Sequence, residues 1–143
     1  MMRQPMVITG TLGMDAHIIG TKIVSRALKD AGFRVTALGA QTPPEEFIRA
    51  AQETTADVIF MTSLYGMAEF DLKGFNEKRL EAGLKDVILY IGGNLVVGRR
   101  DPKEVEEKFK KLGFDRVYPP ETSADLDTAI NDLKNDLKAK GRM

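Results

Sequence analysis

An open parallel sheet of five strands, flanked by helices on both faces in the order 2-1-3-4-5, is the fold that this sequence predicts. Three observations predict it. Short β-branched or apolar runs alternate five times with longer stretches of helical periodicity. The helical stretches stop repeatedly on glycine, at Gly32, Gly83 and Gly113. The 143 residues suit one domain, residues 1–143, and no repeat, linker or low-complexity segment divides them.

Each element has its own signature. The first strand is Val7–Leu12. The helix Ile18–Ala31 follows, with Ile19, Ile23, Val24, Ala27, Leu28 and Ala31 spaced along one face. After the strand Arg34–Leu38, Thr42 is expected to cap a helix over Pro43–Thr54, with a proline in its first turn and Glu45 three residues on to complete a capping box. The strand Val58–Thr62 leads to a helix over Phe70–Ala82. The fourth strand is Val87–Ile91. Asp101 and Pro102 then open a helix whose stripe is Val105, Phe109 and Leu112. A last strand around Arg116–Tyr118 precedes the helix Ser123–Lys138, which carries Leu126, Ile130, Leu133 and Leu137. The basic end of the chain is expected to fray. With five strands in so short a chain, the winding is flavodoxin-like, a Rossmann-like arrangement.

Composition excludes several function classes. The 21 basic and 21 acidic side chains cancel, which leaves no electrostatic case for nucleic-acid binding. No apolar run is long enough to span a membrane, and the N-terminus lacks signal character, so a cytoplasmic location is expected. There is no cysteine, which removes disulfides, zinc-thiolate sites, iron–sulfur clusters and cysteine nucleophiles. With a single histidine as well, any transition metal is expected to arrive inside a cofactor.

That histidine stands in Asp15-Ala-His17-Ile-Ile-Gly20, directly after the first strand. A neutral imidazole is a common metal ligand, and a carboxylate on its other ring nitrogen would fix the tautomer. A surface or helix-capping histidine is equally compatible with the spacing. In open α/β sheets, ligands bind beyond the carboxyl ends of the strands. The unusual loops fall there: Gly13 to Gly20, Thr62-Ser63-Leu64-Tyr65-Gly66, Gly92-Gly93-Asn94-Leu-Val-Val-Gly98 and Tyr118-Pro-Pro-Glu121-Thr122. Hydroxyls, an amide and glycines that allow close backbone approach gather at one edge. No Gly-Lys-Ser/Thr element marks a phosphate-binding loop.

Asp15-x-His17-x-x-Gly20, a hydroxyl-x-Leu element at Thr62–Leu64 and Gly92-Gly93 together resemble the cobalamin-binding domain of the base-off, His-on type, over about Val7 to Leu137. Ser63-Leu-Tyr-Gly66 with Glu69-x-Asp71, and Tyr90-Ile-Gly-Gly-Asn-Leu-Val-Val-Gly98, are similar to the small (sigma) subunits of glutamate mutase, or methylaspartate mutase. The resemblance implies adenosylcobalamin as cofactor, with His17 as the cobalt ligand and Asp15 holding its other nitrogen. It implies cofactor contacts from Met14, Asp15, Ala16, His17, Ile18 and Gly20, from Thr62, Ser63 and Leu64, and from Gly92, Gly93, Asn94, Leu95, Val96, Val97 and Gly98. The nucleotide tail would run between the sheet and a helix, where a planar base fits only if side chains are absent. No catalytic residue falls on this chain. The implied isomerase activity, glutamate to 3-methylaspartate, needs a large barrel-type subunit over the corrin, in a heterotetramer.

Two departures from the family pattern stand out: Thr62 replaces the usual serine, and Glu121 replaces the glycine of a Pro-Gly-Thr turn. Two other readings were open to the sequence. A subunit of another mutase or a corrinoid carrier for methyl transfer shares the histidine motif, although the carrier commonly brings a helical cap before the sheet and only a short stretch precedes Val7. A response module of the same fold needs an acidic pair after the first strand and a lysine after the last, whereas Asp15 stands alone and Tyr118 is followed by prolines.

Overall fold

A computed structural model of the protein describes residues 4–12, 19–63, 68–92, 101–118 and 126–142. Five strands, β1 (Met6–Thr11), β2 (Arg34–Ala37), β3 (Val58–Thr62), β4 (Ile88–Gly92) and β5 (Arg116–Tyr118), form one sheet in the order β2-β1-β3-β4-β5. Every pairing is parallel, as the sequence predicts. The helices are α1 (Ile19–Asp30), α2 (Pro44–Thr54), α3 (Ala68–Asp71), α4 (Phe75–Glu81), α5 (Pro102–Lys111) and α6 (Leu126–Ala139). β3 and β4 are buried along their whole length, which is why they read as unbroken apolar runs.

Alternation along the strands divides the core into two. Ile8, Ile59, Leu89, Met61, Ile91 and Val117 face Phe47, Phe75, Val105 and Phe109. Val7, Val58, Phe60, Ile88 and Tyr90 face Leu28 of α1 and Ala129, Ile130, Leu133 and Leu137 of α6. Gly10 belongs to the first side for a steric reason. A Cβ there would lie 2.9 Å from two atoms of the Phe47 ring and 3.3 Å from Leu38 Cβ, so the bare backbone lets Phe47 press flat on β1.

Four local expectations are corrected. Ile23 does not lie on the buried face of α1: it is 56% exposed, and Ser25 is buried instead. Ser25 Oγ shares a 2.8 Å hydrogen bond with Thr9 Oγ1 on β1, on the same side of the helix as the buried Leu28. Thr42 does not cap α2. Pro43 occupies the cap position with extended backbone and no side-chain hydrogen bond, and Pro44 opens the helix. Thr42 instead ties its loop to β1: its N–H donates to Thr11 O at 2.9 Å, and its hydroxyl donates to Gly39 O at 3.2 Å. Glu45 therefore makes no capping box. It accepts from Lys78 Nζ of α4 at 2.8 Å, which holds its carboxyl below the usual range.

The single helix expected over Phe70–Ala82 is two, α3 and α4, because Gly74 adopts φ +78, outside the helical region. Leu72 and Phe75 on either side of the break are both buried. The fourth strand runs Ile88–Gly92 rather than Val87–Ile91. Gly92 is thus a sheet residue, in register with Thr62 and Tyr118, and not a loop residue. Asp101, which the sequence places just before Pro102, caps α5 by accepting from Lys103 N at 2.9 Å.

Gly10→Val should destabilise the fold by about 1–3 kcal/mol, the range for overpacking a core. Adding Phe47→Leu should recover part of that loss, because the ring is the atom group displaced. Urea denaturation of the three variants measures both; an additive double variant would contradict the Gly10–Phe47 assignment.

Candidate functional site

Register fixes a ladder of three rows on the side of the sheet facing α1 and α6. The lowest row is Val35, Val7, Val58 and Ile88, all apolar. The middle row is Thr9, Phe60, Tyr90 and Arg116. The top row, at the carboxyl ends, is Thr11, Thr62, Gly92 and Tyr118. The opposite face stays apolar to its last full row of Met61, Ile91 and Val117. Only one face therefore becomes small and hydroxyl-lined at the edge where parallel α/β sheets take ligands.

The polar atoms of this edge are buried. Thr11 Oγ1 and Thr62 Oγ1 lie 3.2 Å apart, and Thr62 Oγ1 also approaches Gly10 O at 3.4 Å. Ser63 is fully buried. Its N–H donates to Gly92 O at 3.1 Å, but its hydroxyl has no partner among the described residues. Buried hydroxyls are normally satisfied, so an orphan at a ligand-binding edge needs a reason. Gly92 gives a second hint. It has no positive φ, and a Cβ there would meet only Tyr118, at 3.5 and 3.6 Å, an ordinary contact. Neither backbone strain nor these neighbours require glycine here.

The β5 side of this row is anchored to α6. Tyr118 Oη donates to Asp132 Oδ2 at 2.7 Å, and Tyr90 Oη donates to Asp136 Oδ2 at 2.6 Å. Arg116 grips Asp136 with two hydrogen bonds, Nε to Oδ2 at 2.9 Å and Nη2 to Oδ1 at 3.0 Å. Arg116 and Tyr90 hold the Asp136 carboxyl below the ordinary carboxylate range. Burial, then the hydrogen bond to a carboxylate, pushes both phenols well above theirs. The rings of Phe60, Tyr90 and Tyr118 step across the sheet with centroids 5.6 and 5.8 Å apart.

Of the residues predicted for the site, the structure brings Thr62, Ser63 and Gly92 together, and it places Gly20 in the first turn of α1. Met14, Asp15, Ala16, His17, Ile18, Leu64, Gly93, Asn94, Leu95, Val96, Val97 and Gly98 lie outside the described residues, as do Glu121 and Thr122. Sequence reasoning missed Thr9, Thr11 and Ser25. The signal was present: hydroxyls alternate with apolar residues in Met6-Val-Ile-Thr-Gly-Thr11, the period-2 mark of a strand with one polar face. Among the described residues no three His, Cys, Asp or Glu side chains are grouped to hold a metal ion, and no helix is long and apolar enough to cross a membrane.

An open parallel sheet with a small, hydroxyl-lined carboxyl edge defines a ligand-carrying α/β domain, and comparison with known proteins sets its class. Residues 5–126 match the B12 binding domain family. A cobalamin-binding protein from Desulfitobacterium hafniense superimposes with a TM-score of 0.72 over 93% of this chain and 59% of that one; at 20% identity this likeness speaks for the fold alone. The glutamate mutase sigma subunit of Carboxydothermus hydrogenoformans is 52% identical over 136 residues, spanning 95% of this chain and 98% of that protein. That of Clostridium cochlearium is 46% identical, with the same coverage. The chain belongs to the glutamate mutase sigma subunits, a B12-binding family. The orphaned Ser63 hydroxyl fits such a group, because it is free to offer a hydrogen bond at the ligand-binding edge.

Ser63→Ala should leave the cofactor-free protein as stable as before, or stabilise it by about 1 kcal/mol, since it removes a buried group without a partner. The same change should weaken cobalamin binding. A thermal melt without ligand and an absorbance titration with cobalamin separate the two effects; marked loss of apo stability would mean that Ser63 already has a structural partner.

Proposed function

We propose that this chain is the cobalamin-carrying subunit of glutamate mutase, holding adenosylcobalamin for the rearrangement of L-glutamate to 3-methylaspartate. The observation that carries this reading is the top row Thr11–Thr62–Gly92–Tyr118 with the buried, unpartnered hydroxyl of Ser63 beside it. It is a cradle of small and hydroxyl-bearing residues at the edge that the family uses.

When bound, adenosylcobalamin supplies homolytic radical chemistry that no side chain of this protein can provide. The chain's own part is to bind and orient. His17 would hold cobalt through one ring nitrogen, and Asp15 would accept the hydrogen bond of the other, which fixes the tautomer and directs the imidazole. Met14, Ala16, Ile18 and Gly20 are assigned to the cofactor with that pair. Thr62 and Ser63 offer hydroxyls to the nucleotide tail, and Leu64 is assigned to the same part of the cofactor. Gly92 and Gly93 are assigned to its base, and Asn94, Leu95, Val96, Val97 and Gly98 to the remaining contacts. Radical chemistry needs a closed, water-free site, and the carboxyl edge of an open sheet is one-sided. The remaining cover comes from a larger catalytic subunit. We assign that partner as barrel-shaped, the assembly as a heterotetramer and the compartment as the cytoplasm.

Because His17 is the only histidine, labelling all histidine with nitrogen-15 labels one site. The protein loaded with cob(II)alamin should show hyperfine splitting that changes with this label; an unchanged spectrum removes His17 as the ligand. Supplied with adenosylcobalamin and glutamate, the chain should form no 3-methylaspartate until the larger subunit is added. Turnover by the chain alone would overturn its assignment as a carrier.

A further inference from the structure

Tyr118 stands at the end of the row that contains Gly92, and it is held at three points. Its backbone pairs with Gly92 in the sheet. Its ring lies 5.8 Å from that of Tyr90, whose other edge meets Phe60. Its hydroxyl donates to Asp132 Oδ2 at 2.7 Å. Asp132 is in turn held by α6, one turn before Asp136, and Arg116 Nη1 lies 3.8 Å from its Oδ2. Tyr118 Cβ and its carbonyl oxygen, at 3.5 and 3.6 Å, are the only atoms among the described residues within 4 Å of a Cβ placed on Gly92. The side chain thus leaves the backbone beside the bare face of the glycine, and its ring is held toward Tyr90 and Asp132. Released from Asp132, a half-buried tyrosine can turn about its side-chain torsions. The bare face of Gly92, beside its Cβ, is the ground nearest to it.

We propose that Asp132 and Tyr118 form a positioning pair that keeps the slot beside Gly92 open, so that the protein selects corrinoids with a complete nucleotide tail over those without one. This inference rests on the proposed course of the tail past Gly92. Tyr118 borders the slot at its Cβ, and Asp132 acts by holding its ring away. Neither takes part in the reaction, and the pair is separate from the cobalt ligand.

The test compares two probes, aquocobalamin and cobinamide, the second being a corrin without the nucleotide. Each is titrated by absorbance into the 143-residue chain and its variants. The unaltered chain should prefer aquocobalamin. Tyr118→Phe and Asp132→Ala should each weaken aquocobalamin by about tenfold, the lower end of the loss when an outer partner is removed. Cobinamide binding should stay within twofold. Asp132→Asn keeps an acceptor oxygen for the tyrosine and should retain most of the preference. The double variant Tyr118→Phe/Asp132→Ala should be no worse than either single one, because the two act as a unit. Circular dichroism and a thermal melt of each variant report the fold separately. Equal loss for both probes, or additive losses in the double variant, would overturn the positioning role. No preference in the unaltered chain would overturn it as well, and would do so by removing the course of the tail itself.

Discussion

Thr11, Thr62, Gly92 and Tyr118 share one row only because four parallel strands keep one register, and the whole edge depends on it. A slip of one residue would send Thr11 and Thr62 into the apolar face and bring Gly10 and Met61 out from under Phe47. Two carboxylates guard against this at the opposite end of the sheet. Asp57, just before β3, accepts from Met6 N of β1 at 2.9 Å, while its carbonyl accepts from Ile88 N of β4. Asp115, just before β5, accepts from Leu89 N at 2.8 Å and returns its own N–H to Leu89 O. Side-chain bonds at the amino ends therefore set the alignment of side chains at the carboxyl ends.

With register fixed, the two faces take different tasks. The face under Phe47, Phe75 and Phe109 is apolar throughout and supplies most of the buried surface. The face under α1 and α6 is apolar only in its lower half. Higher up it holds hydroxyls that must be paired in the dry interior, which accounts for the Thr9–Ser25 and Thr11–Thr62 contacts. At β5, Arg116, Asp136, Tyr90, Asp132 and Tyr118 tie α6 to the sheet with charge-assisted hydrogen bonds. Among the described residues the one buried hydroxyl without a partner, on Ser63, lies next to Gly92. Violations of local packing rules gather where a ligand belongs, as they do at functional sites generally.

Much of this was legible beforehand. Strand–helix alternation gave the five strands and their order, because parallel strands need crossovers and buried strands must be apolar. Asp101 caps through a side chain and a following proline that act within one turn, a signal that the sequence carries. The misreadings have separate causes. Thr42 turns its hydroxyl back to Gly39 O while its N–H reaches Thr11 O, and Pro43 takes the cap position. Ile23 faces outward while Val24, Ala27, Leu28 and Ala31 keep to the sheet side. The break at Gly74 is a backbone conformation that apolar spacing does not register.

By itself, then, the sequence determined the architecture, the absence of cysteine and the family to which the motifs around His17 and Gly92 belong, since each of these follows from residue types and their order along the chain. Which residues stand together was decided only by tertiary structure. Thr11, Thr62 and Tyr118 are far apart in the chain, and parallel pairing alone makes them neighbours of Gly92. The contact between Tyr118 and Asp132 likewise exists because α6 packs back across β5, and no local preference encodes the distance between a strand and the helix that covers it.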